Sequence, residues 1–347
     1  MSCPIQGNYI TEKINKEATL SSLIGDINRR DFLKFSAVTA AAIGLSQFDV
    51  AGRISEAIAA SKSGKPPVIW LEGQDCAGCT TSFASALNPP AASLVLDALS
   101  IRYHETIMAA AGHLSEETLR QTVKQGGYVL IVEGSIPTAD GRFCMIGGRP
   151  FEEILLECAE KAAAIIAVGA CATYGGIPAA GPTGAKGVRD VVKNKPIINV
   201  STCPVHVDHL VGTVVYYLTT KRIPPLDKEG RPLMYFGESI HDNCRRRAYF
   251  EEGMLLEDWN DPRQKNWCLI GKGCKGPVTY ADCSVRRWND GLNFCIDCGA
   301  GCRGCAEPRF YAGMTPLYSD PFGYVEKLKK EAQERAQKRE ETRKEVK

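Results

Sequence analysis

Val68-Ile69-Trp70-Leu71-Glu72-Gly73-Gln74-Asp75-Cys76-Ala77-Gly78-Cys79 is the stretch from which the fold is read. A short apolar run stops at a glycine turn, and two cysteines three positions apart follow at once. The apolar run recurs at Tyr128 to Val132, Ala164 to Val168 and Pro196 to Val200. Helical candidates fall between and after these runs, around Leu94 to Leu99, Glu116 to Lys124, Phe151 to Ala164 and Val207 to Leu218. Strands alternating with helices predict an α/β domain with a mostly parallel sheet covered on both faces. In such sheets the loops at the carboxyl ends of the strands form the binding crevice. Cys171 follows the run ending at Val168 and Cys203 the run ending at Val200. With Cys76 and Cys79, three points remote in sequence are thus expected at one sheet edge.

Beyond about residue 225 the pattern changes, and long periodic elements give way to crowded Gly, Pro, Arg, Trp and Cys. Of the fifteen cysteines, eight lie between Cys244 and Cys305. A chain this long needs no disulfide staples, so this density of soft ligands points to bound iron-sulfur centres acting as internal crosslinks of an irregular C-terminal domain. The ligands divide into three sets. The first is Cys76, Cys79, Cys171 and Cys203, flanked by Gly73, Gly78, Gly169, Gly175 and Gly176, which allow close backbone approach. The second is His241, Cys244, Cys268 and Cys274, where an imidazole replaces one thiolate; Arg245, Arg246 and Arg247 beside it predict a positive rim. The third is Cys283, Cys295, Cys302 and Cys305, with Cys298 an extra candidate and Phe294, Trp288 and Phe310 to keep water away. Zinc is the alternative for tetrahedral thiolate sets, and disulfides are the alternative for an exported chain. Cys144 and Cys158 read as small buried hydrophobes.

Export follows from the N-terminus. Arg29-Arg30-Asp31-Phe32-Leu33-Lys34 precedes the apolar stretch Ser36 to Leu45, the pattern of a twin-arginine signal, whose machinery moves proteins already folded and loaded. Residues 1–65 therefore read as signal and leader, cleaved near Ala59 to Lys65, and the expected location is the periplasm. No stretch supplies eighteen uninterrupted apolar residues, so no membrane anchor of its own is expected. A formal charge of +2 argues against nucleic acid as a partner. Residues 326–347 form a charged tail with Glu331/Arg335, Glu334/Lys338 and Glu340/Lys344 spaced for a solvent-facing helix.

The chain resembles the small subunits of periplasmic nickel-iron (or nickel-iron-selenium) uptake hydrogenases. The resemblance is carried by Asp75-Cys76-Ala77-Gly78-Cys79, Val132-Glu133-Gly134-Ser135-Ile136-Pro137-Thr138, Gly169-Ala170-Cys171-Ala172-Thr173-Tyr174-Gly175-Gly176, Cys203-Pro204-Val205-His206, His241-Asp242-Asn243-Cys244 and Cys302-Arg303-Gly304-Cys305-Ala306-Glu307-Pro308. It spans residues 67 to 320. It implies a flavodoxin-like domain over 66–225 with a proximal 4Fe-4S cluster on the first set, and a domain over 226–325 with the distal cluster on the second set. The medial cluster would be held by Cys283, Cys302 and Cys305. It further implies that the nickel-iron centre lies in a separate large subunit. This chain would then relay electrons one at a time, through proximal, medial and distal clusters, to a multihaem c-type cytochrome. Glu133 lies in a family motif near the subunit boundary, where a structural role is the safer expectation.

Two departures refine the expectation. Many relatives have proline where this chain has Cys295 and hold a three-iron medial cluster; a thiolate there predicts three 4Fe-4S clusters. Oxygen-tolerant relatives carry two further cysteines at the positions of Gly78 and Gly176, so an ordinary proximal cubane and inactivation by oxygen are expected.

Overall fold

The computed structural model describes residues 66–311, apart from 88–89 and 96–98, and isolated helical positions between 330 and 341. The twin-arginine segment and leader lie outside the described residues. So does most of the charged tail, of which Glu334 and Lys338 are helical and exposed.

Five strands, β1 (Pro67–Glu72), β2 (Ser100–His104), β3 (Val129–Glu133), β4 (Ala164–Val168) and β5 (Ile197–Val200), form one sheet in the order β2-β1-β3-β4-β5. Every pairing is parallel, and the order is that of flavodoxin-like sheets. Strands of such a sheet are buried on both faces, which is why β1, β3, β4 and β5 read as unbroken apolar runs. The pleat sends alternate residues to opposite sides. Ile69, Leu71, Leu130, Val132, Ile165 and Ala167 pack with Leu119, Val123, Phe151, Ile154 and Leu155, which come from α2 (His113–Gln125) and α3 (Phe151–Lys161). Val68, Trp70, Ile131, Ile166, Val168 and Val200 pack with Phe83, Leu210, Val211 and Val214, from α1 (Gly78–Ala84) and α5 (Val207–Thr220).

Strand β2 was not among the sequence expectations. It is an edge strand with Arg102 exposed, and its short mixed composition carries no apolar run. The helix expected over Leu94 to Leu99 falls partly on undescribed residues; Leu94 and Val95 are helical and Leu99 is not. The register aligns Glu72 with Glu133, Glu133 with Val168, and Val168 with Val200. The carboxyl ends of four strands are therefore flush, and the loops that follow them open on one edge.

From Leu226 to Tyr311 the chain runs through short turns, the longest helix among the described residues there being Arg247–Glu251. Its apolar core gathers Tyr235, Phe236, Ile240, Leu256, Leu269, Phe294 and Ile296 around the thiol-bearing Cys283 and Cys302, with Trp288 against its border. Phe310 is half-buried and stands apart from that core.

Candidate functional site

At the sheet edge, Cys76 lies in the loop after β1 and is exposed, while Cys79 opens α1 and is 8% exposed. Cys171 lies in α4 (Gly169–Tyr174), which begins as β4 ends, and Cys203 follows β5. The four thiols face one another. Burial raises the pKa of Cys79, and Glu133, Cys171 and Cys203 raise it further; Cys171 is pushed to about 12 by burial, then by Cys203 and Cys76 among its neighbours. A pocket of crowded neutral thiols favours thiolates only when positive charge replaces the protons, as a metal core does.

Glycines shape the cradle. A Cβ on Gly169 would stand 2.4 Å from Cys79 Sγ, and one on Gly176 would stand 2.7 Å from Cys171 Sγ. Both glycines have positive φ, 81° and 55°, so neither the space nor the backbone admits a side chain. Amides aim at the sulfurs: Val205 N–H donates to Cys79 Sγ at 3.3 Å, and Ile177 N–H to Cys171.

Glu133 braces this edge from within. It is 1% exposed and accepts from Cys79 N at 2.9 Å, Thr80 N at 3.3 Å, Thr80 Oγ1 at 2.6 Å and Trp70 Nε1 at 3.2 Å. One carboxylate thus fixes the first turn of α1, and with it Cys79, against the sheet. Glu72, Asp75 and Glu133 bring carboxylate oxygens within 4.8 Å of one another. Asp75 is accordingly raised to about 7, by burial first and then by Glu133 and Glu72.

The second set lines one small pocket, with Leu269, Ile270, Pro277 and Ile296. His241, Cys244, Cys268 and Cys274 all face it. Phe250 packs edge-on against His241 at 4.4 Å. Burial, then Arg247, lowers the His241 pKa and so keeps the imidazole in the neutral form a metal takes. Each sulfur receives amides: Arg246 N–H donates to Cys244 Sγ at 3.4 Å, Ile270 N–H to Cys268, and Gly276 N–H to Cys274.

The expected positive rim is a network of pairs. Arg245 meets Asp297 at 2.9 Å, Arg247 meets Glu251 at 2.9 Å and Asp242 at 3.5 Å, and Arg246 donates to the carbonyls of Lys265 and Trp267. These side chains pin the loops around Cys244, and their charge is met by neighbouring acids or carbonyls.

The third set centres on Cys283, Cys302 and Cys305, all raised by burial first, Cys302 next by Cys274 and then Cys305, Cys283 by Cys302, and Cys305 by Cys283. Cys295 acts on both Cys283 and Cys305, and it is exposed, as is Cys298 beside it. All fourteen cysteines among the described residues are free thiols. Cys158 is 1% exposed within the sheet core and Cys144 packs against that core.

The three pockets touch. Cys203 N–H donates to Cys305 Sγ, which joins the first set to the third. Cys302 N–H donates to Cys274 Sγ at 3.2 Å, which joins the third to the second. The sequence held no sign of these bonds. Nor did it show that His206, 4% exposed, bonds the Arg287 carbonyl at 2.6 Å, since that pair lies 81 residues apart.

Three family models match the chain. That for the 20 Kd subunit of NADH ubiquinone oxidoreductase covers residues 76–217, and that for the C-terminal region of the NiFe/NiFeSe hydrogenase small subunit covers 236–318. The twin-arginine translocation pathway signal sequence covers 26–46. The uptake hydrogenase small subunit of Azotobacter vinelandii is 43% identical over 291 residues, 82% of this chain and 80% of that protein. The hydrogenase-1 small chain of Escherichia coli K12 is 43% identical over 293 residues, 82% of this chain and 77% of that one. Among solved structures, the Ni-Fe-Se hydrogenase from Desulfomicrobium baculatum superposes with a TM-score of 0.69 at 39% identity, covering 73% of this chain and 98% of that chain.

Proposed function

Because the chain belongs to the small subunits of nickel-iron and nickel-iron-selenium uptake hydrogenases, we propose that its three ligand sets hold three 4Fe-4S clusters serving one electron relay. It is an electron-transfer subunit of a hydrogenase, and a twin-arginine signal directs it to the periplasm. In this reading residues 66–225 form the flavodoxin-like domain with the proximal cluster, 226–325 the domain with the medial and distal clusters, and 326–347 a charged tail.

The observation that carries the proposal is the pair of amide-to-sulfur bonds that make the pockets contiguous, Cys203 to Cys305 and Cys302 to Cys274. When bound, the clusters supply one-electron carriers; the chain's own residues fix where those carriers stand. Amides from Val205, Ile177, Gly276 and Cys302 place positive dipoles on the sulfurs and favour added negative charge there. Donor spacing supports clusters over zinc. Sulfurs about 2.3 Å from one tetrahedral zinc stand under 4 Å apart. Among the described residues no three of the twelve ligands bring their donor atoms within 4.8 Å of one another.

The face around Cys76 is the docking face for a large subunit. In support, Ile177, whose amide reaches Cys171, is 53% exposed, and Phe143, whose carbonyl accepts from Gln74, is 50% exposed. Apolar side chains bared beside a polar crevice mark a protein interface. The nickel site belongs to that partner, and a multihaem c-type cytochrome is the acceptor beside the distal pocket. Among the described residues no helix is long and apolar enough to cross a membrane. The proximal cluster is an ordinary cubane, because glycines at 78 and 176 supply no extra thiols beside the ligand sulfurs. Protein-film voltammetry under air should therefore show loss of the hydrogen-oxidation current, and an undiminished current would overturn the assignment.

The relay itself is tested at His241. His241→Ala should slow electron exchange with the redox partner by tenfold or more while hydrogen isotope exchange at the nickel site keeps its rate. Equal losses in both assays would reject His241 as a distal ligand.

A further inference from the structure

Trp288 sits in a backbone that its surroundings must hold in place. Arg287, Asn289 and Asp290 around it have φ of 62°, 55° and 58°, and none is glycine. Asn and Asp take left-handed backbone readily, so Asn289 and Asp290 form an ordinary turn, whereas Arg287 at positive φ is held by its contacts. Trp288 and Asn293 close the hairpin, Trp288 N–H donating to Asn293 O at 2.6 Å and Asn293 N–H returning to Trp288 O at 3.3 Å.

The result of this contortion is an aimed indole. The ring packs against the core that contains Cys283, and its N–H is the donor that holds down the Cys283 pKa against burial, the thiol standing for the thiolate that a cluster would bind. Its ring rests on His206, with centroids 4.5 Å apart. His206 Nε2 bonds the Arg287 carbonyl at 2.6 Å, and its Nδ1 accepts from Asp208 N at 3.2 Å. Those two bonds assign a neutral ring with the proton on Nε2. His206 stacks on His209 at 4.7 Å, and His209 Nε2 meets Asp282 Oδ1 at 2.6 Å, next to Cys283. The loop after Cys203 thereby clamps the turn that carries Cys283.

We propose that Trp288 is a potential-setting residue of the medial pocket, its indole N–H on the Cys283 sulfur favouring the reduced state, and that His206 is the positioning residue that holds it there. An N–H dipole on a ligand sulfur stabilises the added negative charge and so raises the reduction potential. This inference rests on the medial cluster proposed above.

The test is an EPR-monitored redox titration of the complete heterodimer. Trp288→Phe keeps a ring and removes the donor. It should lower the medial reduction equilibrium constant tenfold, about 59 mV for one electron, leaving the proximal and distal midpoints in place. His206→Ala should shift the medial midpoint the same way by less, and His206→Gln, which retains an N–H for the Arg287 carbonyl, should recover most of the loss. A second measurement needs no variant: indole-15N tryptophan in the wild-type protein should give a nitrogen hyperfine coupling on the reduced medial cluster. An unmoved medial midpoint in Trp288→Phe, equal shifts at all three centres, or no 15N coupling overturns the role of Trp288 while leaving the cluster assignment standing. A wild-type protein without any medial signal overturns both.

Discussion

Residues 66–225 bury Trp70, Ile131, Phe151 and Ile166 between a sheet and its helices, whereas residues 226–311 bury Cys283, Cys302 and Cys268 in the equivalent places. In the first region apolar area removed from water is cohesion enough, and strands of four to six residues arise wherever such runs occur. In the second, the core is partly made of thiols proposed as metal ligands, and regular structure shrinks to turns. The comparison teaches that secondary structure is optional where ligands can crosslink the chain.

Removing iron should break the comparison most sharply. Chelation under reducing conditions is expected to abolish amide-exchange protection across residues 226–311 while β1, β3, β4 and β5 keep theirs. Hydrogen-exchange mass spectrometry reads both regions at once, and equal protection in the two would undo the contrast. Core truncation should act in the opposite sense. Phe151→Ala, at a fully buried site, is expected to cost about 3–5 kcal/mol in chemical denaturation of the sheet domain. Phe294→Ala should cost the loaded C-terminal region less, because crosslinks share its load.

Cys295→Ser sharpens the picture within the second region. It should convert the medial centre to a three-iron form, visible in low-temperature EPR of the oxidised protein, and Cys298→Ser should not. A strong three-iron signal in the unaltered protein would sink the four-thiolate assignment.

Glu133→Gln tests whether the sheet domain too depends on a polar brace. The amide keeps one acceptor for the donors of Cys79 and Thr80 and brings its own N–H to an edge already crowded with donors. A loss of about 1–3 kcal/mol is expected in the same denaturation assay. A further prediction concerns pH. His104, fully buried, has its pKa lowered to about 4 by burial, with Glu72 opposing. The unfolded chain takes up this proton below about 6.5, and the folded chain only near 4. Its contribution therefore favours folding above 6.5 and is lost as pH falls from 6.5 toward 4. The slope is on the order of 1 kcal/mol per pH unit. His104→Gln should flatten that slope in melting curves taken across the window.

How far the sequence could be read followed the same division. Four of five strands were legible because burial on both faces leaves mostly apolar residues, with Glu72, Glu133 and Asn199 the buried exceptions toward their carboxyl ends, and the loop cysteines were legible because each follows such a run. β2 was not, since Ser100-Ile101-Arg102-Tyr103-His104 buries only Tyr103 and His104 and so carries no apolar run. The thiol sets themselves were marked by spacing and family likeness. The partners of Arg245 and Arg246 were not, because Asp297 and the carbonyls of Lys265 and Trp267 come to them through turns with no periodicity to follow. The same holds for Trp288 and His206, 82 positions apart by their numbers yet in ring contact.

Ala306 carries a last consequence. Its carbonyl accepts from Ser201 Oγ at 3.0 Å and from Arg231 Nη1 at 2.9 Å, while Arg231 also grips Glu307. The segment that ties onto the chain just after β5 is thus among the last of this region to leave the ribosome. Synthesis itself would set a timetable for maturation: a chain stalled before residue 302 has every ligand of the first and second sets and lacks two of the third, so only the first two pockets should be fillable.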